Sequence, residues 1–440
     1  MLIGIGFENP LLVGVIGIAL LLVLVFLGVR VVFAAASVGL LGLIELIGWG
    51  PAAGVVGIVP HAKSSTYALS VLPMFIFIGF VAYYAGMTTQ LFDAARKWLG
   101  WLPGGLAVST ILATAGFAAV SGASTATSAV FARVAIPEML RAGYDRGLAA
   151  GVVAVGGTLA ALIPPSAILV IYAIIVEESV GRLLLAGFLP GLVSALVYSA
   201  IIVIWAIRRP QAAPAIGGVS WPERMLSLPP LIPIALVVMV IISAMYQGWA
   251  TPTEAGALGA AIIFVVAIAR GARVQAIWMS LMETAKLTVM IFSLIWGVTI
   301  FVRFLGYSGV AEAFASWIVA LDAPPLVIMI CILLGYAVLG MFMDAIGMLL
   351  LTLPVVYPAV MALGYDSIWF GIIVVKMAEM ALITPPIGLN CFVVNAVRPD
   401  IPLPQVFRGV LIFFVADVIT IAILLAFPDI VTWLPDMMRN

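Results

Sequence analysis

The chain has 440 residues, 65% of them hydrophobic and 9% charged, with a formal net charge of zero. A soluble fold of this length needs far more charge to cover its surface, and the longest polar stretch, around Arg208–Leu228, is a short linker. The chain therefore works in or at a lipid bilayer. Zero net charge and two cysteines in apolar segments, Cys331 and Cys391, support neither nucleic-acid binding nor a disulfide framework, and both cysteines read as packing residues.

The amino terminus, MLIGIGFENP, has no basic region or small-residue cleavage site, so the first apolar run reads as a retained helix on an external start. Apolar runs near 9–29, 31–50, 71–90, 147–176, 183–207, 228–247, 253–270, 284–305, 368–395 and 406–427 are each long enough to cross. Pro51–Thr66 reads as an external stretch, with His61 as a surface residue. Residues 105–141 and 327–362 behave differently, because each holds two short apolar stretches joined at a small or polar tip: Ser121–Ser124 in the first, Gly340–Asp344 in the second. Both read as re-entrant helical hairpins.

Basic residues test this scheme, since short cytoplasmic loops collect Lys and Arg. One face carries Arg30, Arg96, Lys97, Arg133, Arg141, Arg146, Arg208, Arg209, Arg224, Arg270, Arg273, Lys286, Arg398 and Arg408; the other carries Lys63, Arg182, Arg303 and Arg439, and Lys376 stays inside the membrane. That bias of fourteen to four is lost if either hairpin crosses an odd number of times.

The chain also repeats itself. Residues 136–169 and 357–390 align without a gap: Pro137 and Pro358 precede a Gly-Tyr-Asp turn (Gly143–Asp145, Gly364–Asp366), and Pro164–Pro165 and Pro385–Pro386 come after it at equal distances. The predicted architecture is an all-α polytopic membrane protein of two repeats, 1–207 and 230–440, joined by a cytoplasmic linker at 208–229. Arg141 and Arg146 flank the first Gly-Tyr-Asp turn and no basic residue flanks the second, which places the turns on opposite sides and makes the repeats inverted.

Pro-Pro cannot continue a helix, so 147–176 and 368–395 should each be two half-helices with an unwound joint. Gly156, Gly157, Thr158 and Ser166 surround the first joint, and Thr384, Gly388 and Asn390 the second. Carbonyl, hydroxyl and amide oxygens of this sort suit a hard cation such as sodium; the alternative is a simple kink whose hydroxyls bond their own helix. Ser121, Ser124, Thr125 and Thr127 cluster at the first tip, where backbone amides at a helix start can hold an anionic group. Asp344 at the second tip reads as a sodium ligand, as the cap of the following half-helix, or as both. Lys376 and Glu379 should form an i,i+3 pair, with a direct substrate role for Lys376 as the competing reading. No metal-ligand spacing, phosphate-binding loop or nucleophile set is present, which disfavours an enzyme or an ATP-driven pump.

The runs LPGGLAVSTILATAGFAAVSGAS (102–124), VAIPEMLRAGYDRGLAAGVVAVGGTLAALIPPS (134–166), FMDAIGMLLLTLPVVYPAVMALGYD (342–366) and MAEMALITPPIGLNCFVVNA (377–396) resemble the large membrane subunit of tripartite ATP-independent periplasmic (TRAP) transporters over nearly the whole chain. The resemblance implies an elevator-type secondary transporter of the bacterial inner membrane. It would bring in carboxylates or sialic acid with sodium, working with a separate small four-helix membrane subunit and a periplasmic substrate-binding protein. It places one sodium site at Ser121, Gly122, Ser124, Thr125, Gly156, Gly157, Thr158, Pro164 and Ser166, and a second at Gly340, Asp344, Thr384, Pro385, Gly388 and Asn390. Substrate would sit between the tips, near Ser124, Thr125, Thr127, Asp344 and Lys376. Ala123 departs from the family pattern, in which a further serine is frequent there. A partner-independent sodium/anion symporter and an uncoupled channel or scaffold are the competing readings.

Overall fold

A computed structural model of the chain describes residues 9–438, and among these every regular element is a helix. The first eight residues and Arg439, both assigned to the outer face from sequence, lie outside the described residues. Seven described helices are long and apolar enough to cross a membrane. The helices Pro10–Phe26 and Val31–Ile47, at 17 residues each, stand at the lower edge of spanning length.

Residues 51–64 of the stretch Pro51–Thr66 are helical, within Trp49–Ser64, which contains Pro60 and packs on Val31–Ile47 and on the long helix Val274–Ser308. Glycine and proline give this stretch poor intrinsic helix propensity, and tertiary packing overrides it. The run at 71–90 also divides: Val71–Tyr84 stops at left-handed Gly86, and an amphipathic helix, Met87–Leu99, succeeds it. The second half repeats the device. Val274–Ser308, of 35 residues, ends at left-handed Gly309 and leads into Val310–Val319.

Each amphipathic helix leads into a helical hairpin. The first pairs Gly105–Ser121 with Ser124–Arg141 around Gly122, and the second pairs Pro325–Gly340 with Ala345–Ala362. After each hairpin comes a broken helix, Arg146–Thr158 with Ala167–Ile175 and then Ser367–Ala381 with Leu389–Val397. Both Pro-Pro bonds are cis. Long helices, Val180–Arg208 and Leu403–Ala426, complete the two halves.

The repeated Gly-Tyr-Asp turn has a mechanical meaning. Gly143 (φ 85) and Gly364 (φ 83) reverse the chain in the left-handed region. Asp145 then accepts from the Leu148 amide at 2.9 Å, and Asp366 from the Trp369 amide at 2.7 Å, so each aspartate caps a broken helix. The Tyr144 hydroxyl accepts from the Leu106 amide at the start of the first hairpin (3.2 Å), and burial pushes its phenol up to about 12.

The helices pack as two groups. Hairpins, broken helices and the two long helices interlock: Leu389–Val397 lies on Ser124–Arg141, and Ala167–Ile175 lies on Ala345–Ala362. Each trailing half-helix thus seats on the other half's hairpin. Val31–Ile47, Val71–Tyr84, Pro252–Ala269 and Val274–Ser308 pack among themselves on one side. The linker at 208–229 is tied down, with Ala212 O accepting from Asp145 N (2.9 Å) and Ile216 N donating to Gly100 O (2.7 Å), and it carries a short capped helix, Trp221–Leu226. Cys391 is buried, as a packing residue should be, whereas Cys331 is exposed.

Candidate ion and substrate site

Each hairpin tip rests on the joint of its own half. A Cβ at Gly122 would come within 2.4 Å of the Pro165 carbonyl oxygen, so only glycine lets the first tip seat there. At the second tip Gly340 abuts Ala381, and the Ile387 amide donates to Met341 O at 3.4 Å. The joints differ in exposure: Pro164, Pro165 and Ser166 are buried, but Pro385 and Pro386 are exposed and Thr384 is half-buried.

At the first joint the hydroxyls expected as ligands are engaged locally. Thr158 donates to Val155 O at 2.8 Å, within its own helix. Ser166 caps Ala167–Ile175, accepting from the Leu169 amide at 3.2 Å and donating to Ala161 O. At the tip, the Ser121 and Thr127 hydroxyls are hydrogen-bonded at 2.9 Å, and Thr127 also donates to Ala123 O. Thr125 is half-buried.

The free oxygens lie one step deeper. Ser124 Oγ and Ser128 Oγ, one turn apart on their helix, are buried without a hydrogen-bond partner, and this turn borders Gly157: a Cβ there would fall 1.9 Å from Ser128 Oγ and 2.9 Å from the Ser124 backbone carbonyl oxygen. Gly156 similarly faces Thr114 Oγ1. Asn390, expected at the second joint, reaches across to this region. Its Nδ2 donates to Ala154 O at 3.1 Å, and its Oδ1 is buried without a partner. Ala154 and Gly157 are one turn apart on the same helix face. The Ser128 hydroxyl and the Asn390 amide thus lie along a single turn of this helix, with the Ser124 hydroxyl one turn from Ser128 on its own helix and no charged side chain among the three. Buried polar atoms are normally paired, so these unpartnered oxygens call for a ligand. Oxygen-only donors of this kind are what hard cations take.

The second tip is simpler. Asp344 accepts from the Gly347 amide at 3.1 Å and caps Ala345–Ala362. Thr384 donates to Met380 O at 2.6 Å, again within its own helix, and left-handed Gly388 (φ 49) starts the trailing half-helix against Phe407. Thr158 and Thr384 thus give their protons to their own helices, as the kink reading expects, and their oxygen lone pairs stay open to an ion.

Lys376 lies with neither tip. Its ammonium is fully buried between Glu379 (2.7 Å) and Asp417 (2.8 Å) and donates to the Tyr198 hydroxyl at 3.0 Å, while Tyr198 donates in turn to Asp417. Three ammonium protons meet three acceptors, which leaves none for a substrate.

A family model described as "Tripartite ATP-independent periplasmic transporter, DctM component" matches residues 16–430. The chain belongs to this family of TRAP large permeases. It is 35% identical to the C4-dicarboxylate TRAP transporter large permease protein DctM of Pseudomonas aeruginosa, over 91% of this chain and 92% of the relative. It is 29% identical to the sialic acid TRAP transporter large permease protein SiaM of Vibrio cholerae, over 84% and 87% of the two chains. In fold it is similar to the crystal structure of the Alcanivorax borkumensis YdaH transporter, with a TM-score of 0.57 at 15% identity, covering 96% of this chain and 98% of that one.

Within this TRAP permease, the expected i,i+3 pair of Lys376 with Glu379 is present, and sequence reasoning missed Ser128 and the other two partners of Lys376, Asp417 and Tyr198. Ser128 stands one helical turn after Ser124, and that i,i+4 spacing was the only signal available. Asp417 and Tyr198 come from distant helices, and an isolated carboxylate in an apolar run was the only hint of the first.

Proposed function

We propose that this permease imports a small carboxylate-bearing anion by sodium-coupled secondary transport. The observation that carries the reading is the set of partnerless buried oxygens, Ser124 Oγ, Ser128 Oγ and Asn390 Oδ1, beside the broken helix. A sodium ion there would be held by hydroxyl and amide oxygens and by carbonyls freed at the joint. Asp344 and the Thr384 region supply the second ion position, with a carboxylate in place of the serines, so the two positions bind sodium unequally.

The anion belongs at the first tip. No side chain caps Ser124–Arg141, which leaves its leading amides free for a carboxylate, whereas Asp344 already occupies that role on Ala345–Ala362. Relatives named for C4-dicarboxylates and for sialic acid share a carboxylate group, which supports this substrate class. The anion arrives from a periplasmic binding protein, and a small four-helix membrane subunit in the bacterial inner membrane completes the complex.

Movement is of the elevator type: hairpins and broken helices travel as one block against Val71–Tyr84 and Val274–Ser308. The close approach of Gly79 to the Ser121 backbone, where a Cβ would sit 2.5 Å from Cα, lets the first tip slide against the fixed group. Each net positive charge imported across about 100 mV releases about 2.3 kcal/mol, which drives accumulation without ATP.

Uptake into proteoliposomes holding the complete complex tests the reading, with the carboxylate that most raises the melting temperature of the binding protein as substrate. Uptake should follow an inward sodium gradient and stop when potassium replaces sodium. Sodium-independent uptake contradicts coupling, and uptake by this chain alone contradicts the tripartite assignment.

A further inference from the structure

A cavity of about 500 Å³ lies between Val274–Ser308, the end of Trp49–Ser64 and the end of Ala167–Ile175. Its charged lining is Lys63, Arg303 and Glu177; Thr299 and Tyr307 add hydroxyls, and aliphatic side chains form the floor. None of the three charged groups is in an ion pair with another described residue, so the cavity carries a net charge of +1. Cations are scarce on the outer face. Of the four assigned there, Arg182 is paired with Asp436 at 2.8 Å and Arg439 lies outside the described residues. The remaining two both face this cavity.

The lining reaches the second hairpin. Leu350, part of it, stands six residues after Asp344, a rise of about 9 Å along the helix. The same long helix walls a second cavity of about 250 Å³ at its other end, lined by Glu283, Arg133 and the first-tip residues Ser121 and Ala123. From Glu283 to Arg303 the helix rises about 30 Å, the thickness of a bilayer core. One helix thus borders two cavities that approach the two hairpins from opposite ends.

We infer that the outer cavity is an entry site, in which Lys63 and Arg303 capture the carboxylate of an incoming organic anion before it reaches the hairpin tips. Glu177 opposes them and holds the net charge to a single positive unit, so the anion is captured without being trapped. This rests on the organic-anion reading above.

The test is a reactivity measurement on the full complex in right-side-out membranes. T299C is introduced with C331S, which removes the exposed native thiol and leaves the buried Cys391. Impermeant anionic and cationic methanethiosulfonates of equal size are compared. The anionic reagent should react faster relative to free thiol; R303Q and K63Q should each lower the anionic-to-cationic ratio by about threefold or more, and E177Q should raise it. Millimolar succinate should slow labelling when Arg303 is present and not in R303Q, while chloride at equal ionic strength should not. Absence of labelling from outside, a ratio unmoved by both R303Q and K63Q, or protection by chloride equal to that by succinate would overturn the inference. Transport that proves sodium-independent would refute the coupling and leave this result standing.

Discussion

Lys376 and Asp417 form an ion pair of 2.8 Å with almost no exposure, joining the second broken helix to the last long helix. Glu379 completes the cluster from the Lys376 helix, and Tyr198 ties in Val180–Arg208. One ammonium answers two carboxylates, and each carboxylate keeps one oxygen without a partner. Removing the lysine strands two buried carboxylates. K376M should therefore cost about 3 to 5 kcal/mol, visible as a lower melting temperature of the purified complex, and adding E379Q and D417N to it should recover much of that loss.

Ser128 offers the opposite signature. Its hydroxyl makes no hydrogen bond, so S128A loses none and should leave the melting temperature unchanged or slightly raised. If the hydroxyl is a sodium ligand, the same variant should raise the sodium concentration for half-maximal uptake several-fold. H61A, far from the site, should change neither.

At Asp344 capping and ion binding can be separated by chemistry. Asparagine caps as well as aspartate, so D344N should keep the melting temperature, while D344A should lose about 1 kcal/mol. Both should weaken sodium dependence if the carboxylate charge serves the ion. A D344N variant with wild-type sodium dependence would leave Asp344 as a cap alone.

Gly157 lets the hairpin sit on the broken helix. G157A drives a Cβ to within 1.9 Å of Ser128 Oγ and should sharply reduce folded yield and uptake. G54A, where nothing lies within 4 Å of the added carbon, should be neutral or slightly stabilising. Size-exclusion profiles of the two variants make the comparison.

Much of this framework is legible in the sequence because it depends on local backbone rules. Pro-Pro must break a helix, left-handed glycine must turn the chain, and Asp145 and Asp366 cap the broken helices that begin after each turn; the hairpin tips announce themselves by small and polar residues. The helical character of Trp49–Ser64 escaped because its packing on Val31–Ile47 and Val274–Ser308, not its local sequence, offsets its glycines and prolines. Ser128 escaped for a related reason. Ser124 and Asn390 are legible as oxygen donors, but Asn390 reads as part of the second joint, and its reach to Ala154, like the seating of Ser128 against Gly157, depends on packing that no local pattern encodes.

Direct binding of radioactive sodium to the purified complex tests the central claim. Wild type should bind sodium saturably in an excess of potassium, and S128A and N390A, both still folded, should each lose binding at one class of sites while D344N loses the other. Equal sodium binding by wild type and all three variants would contradict the account.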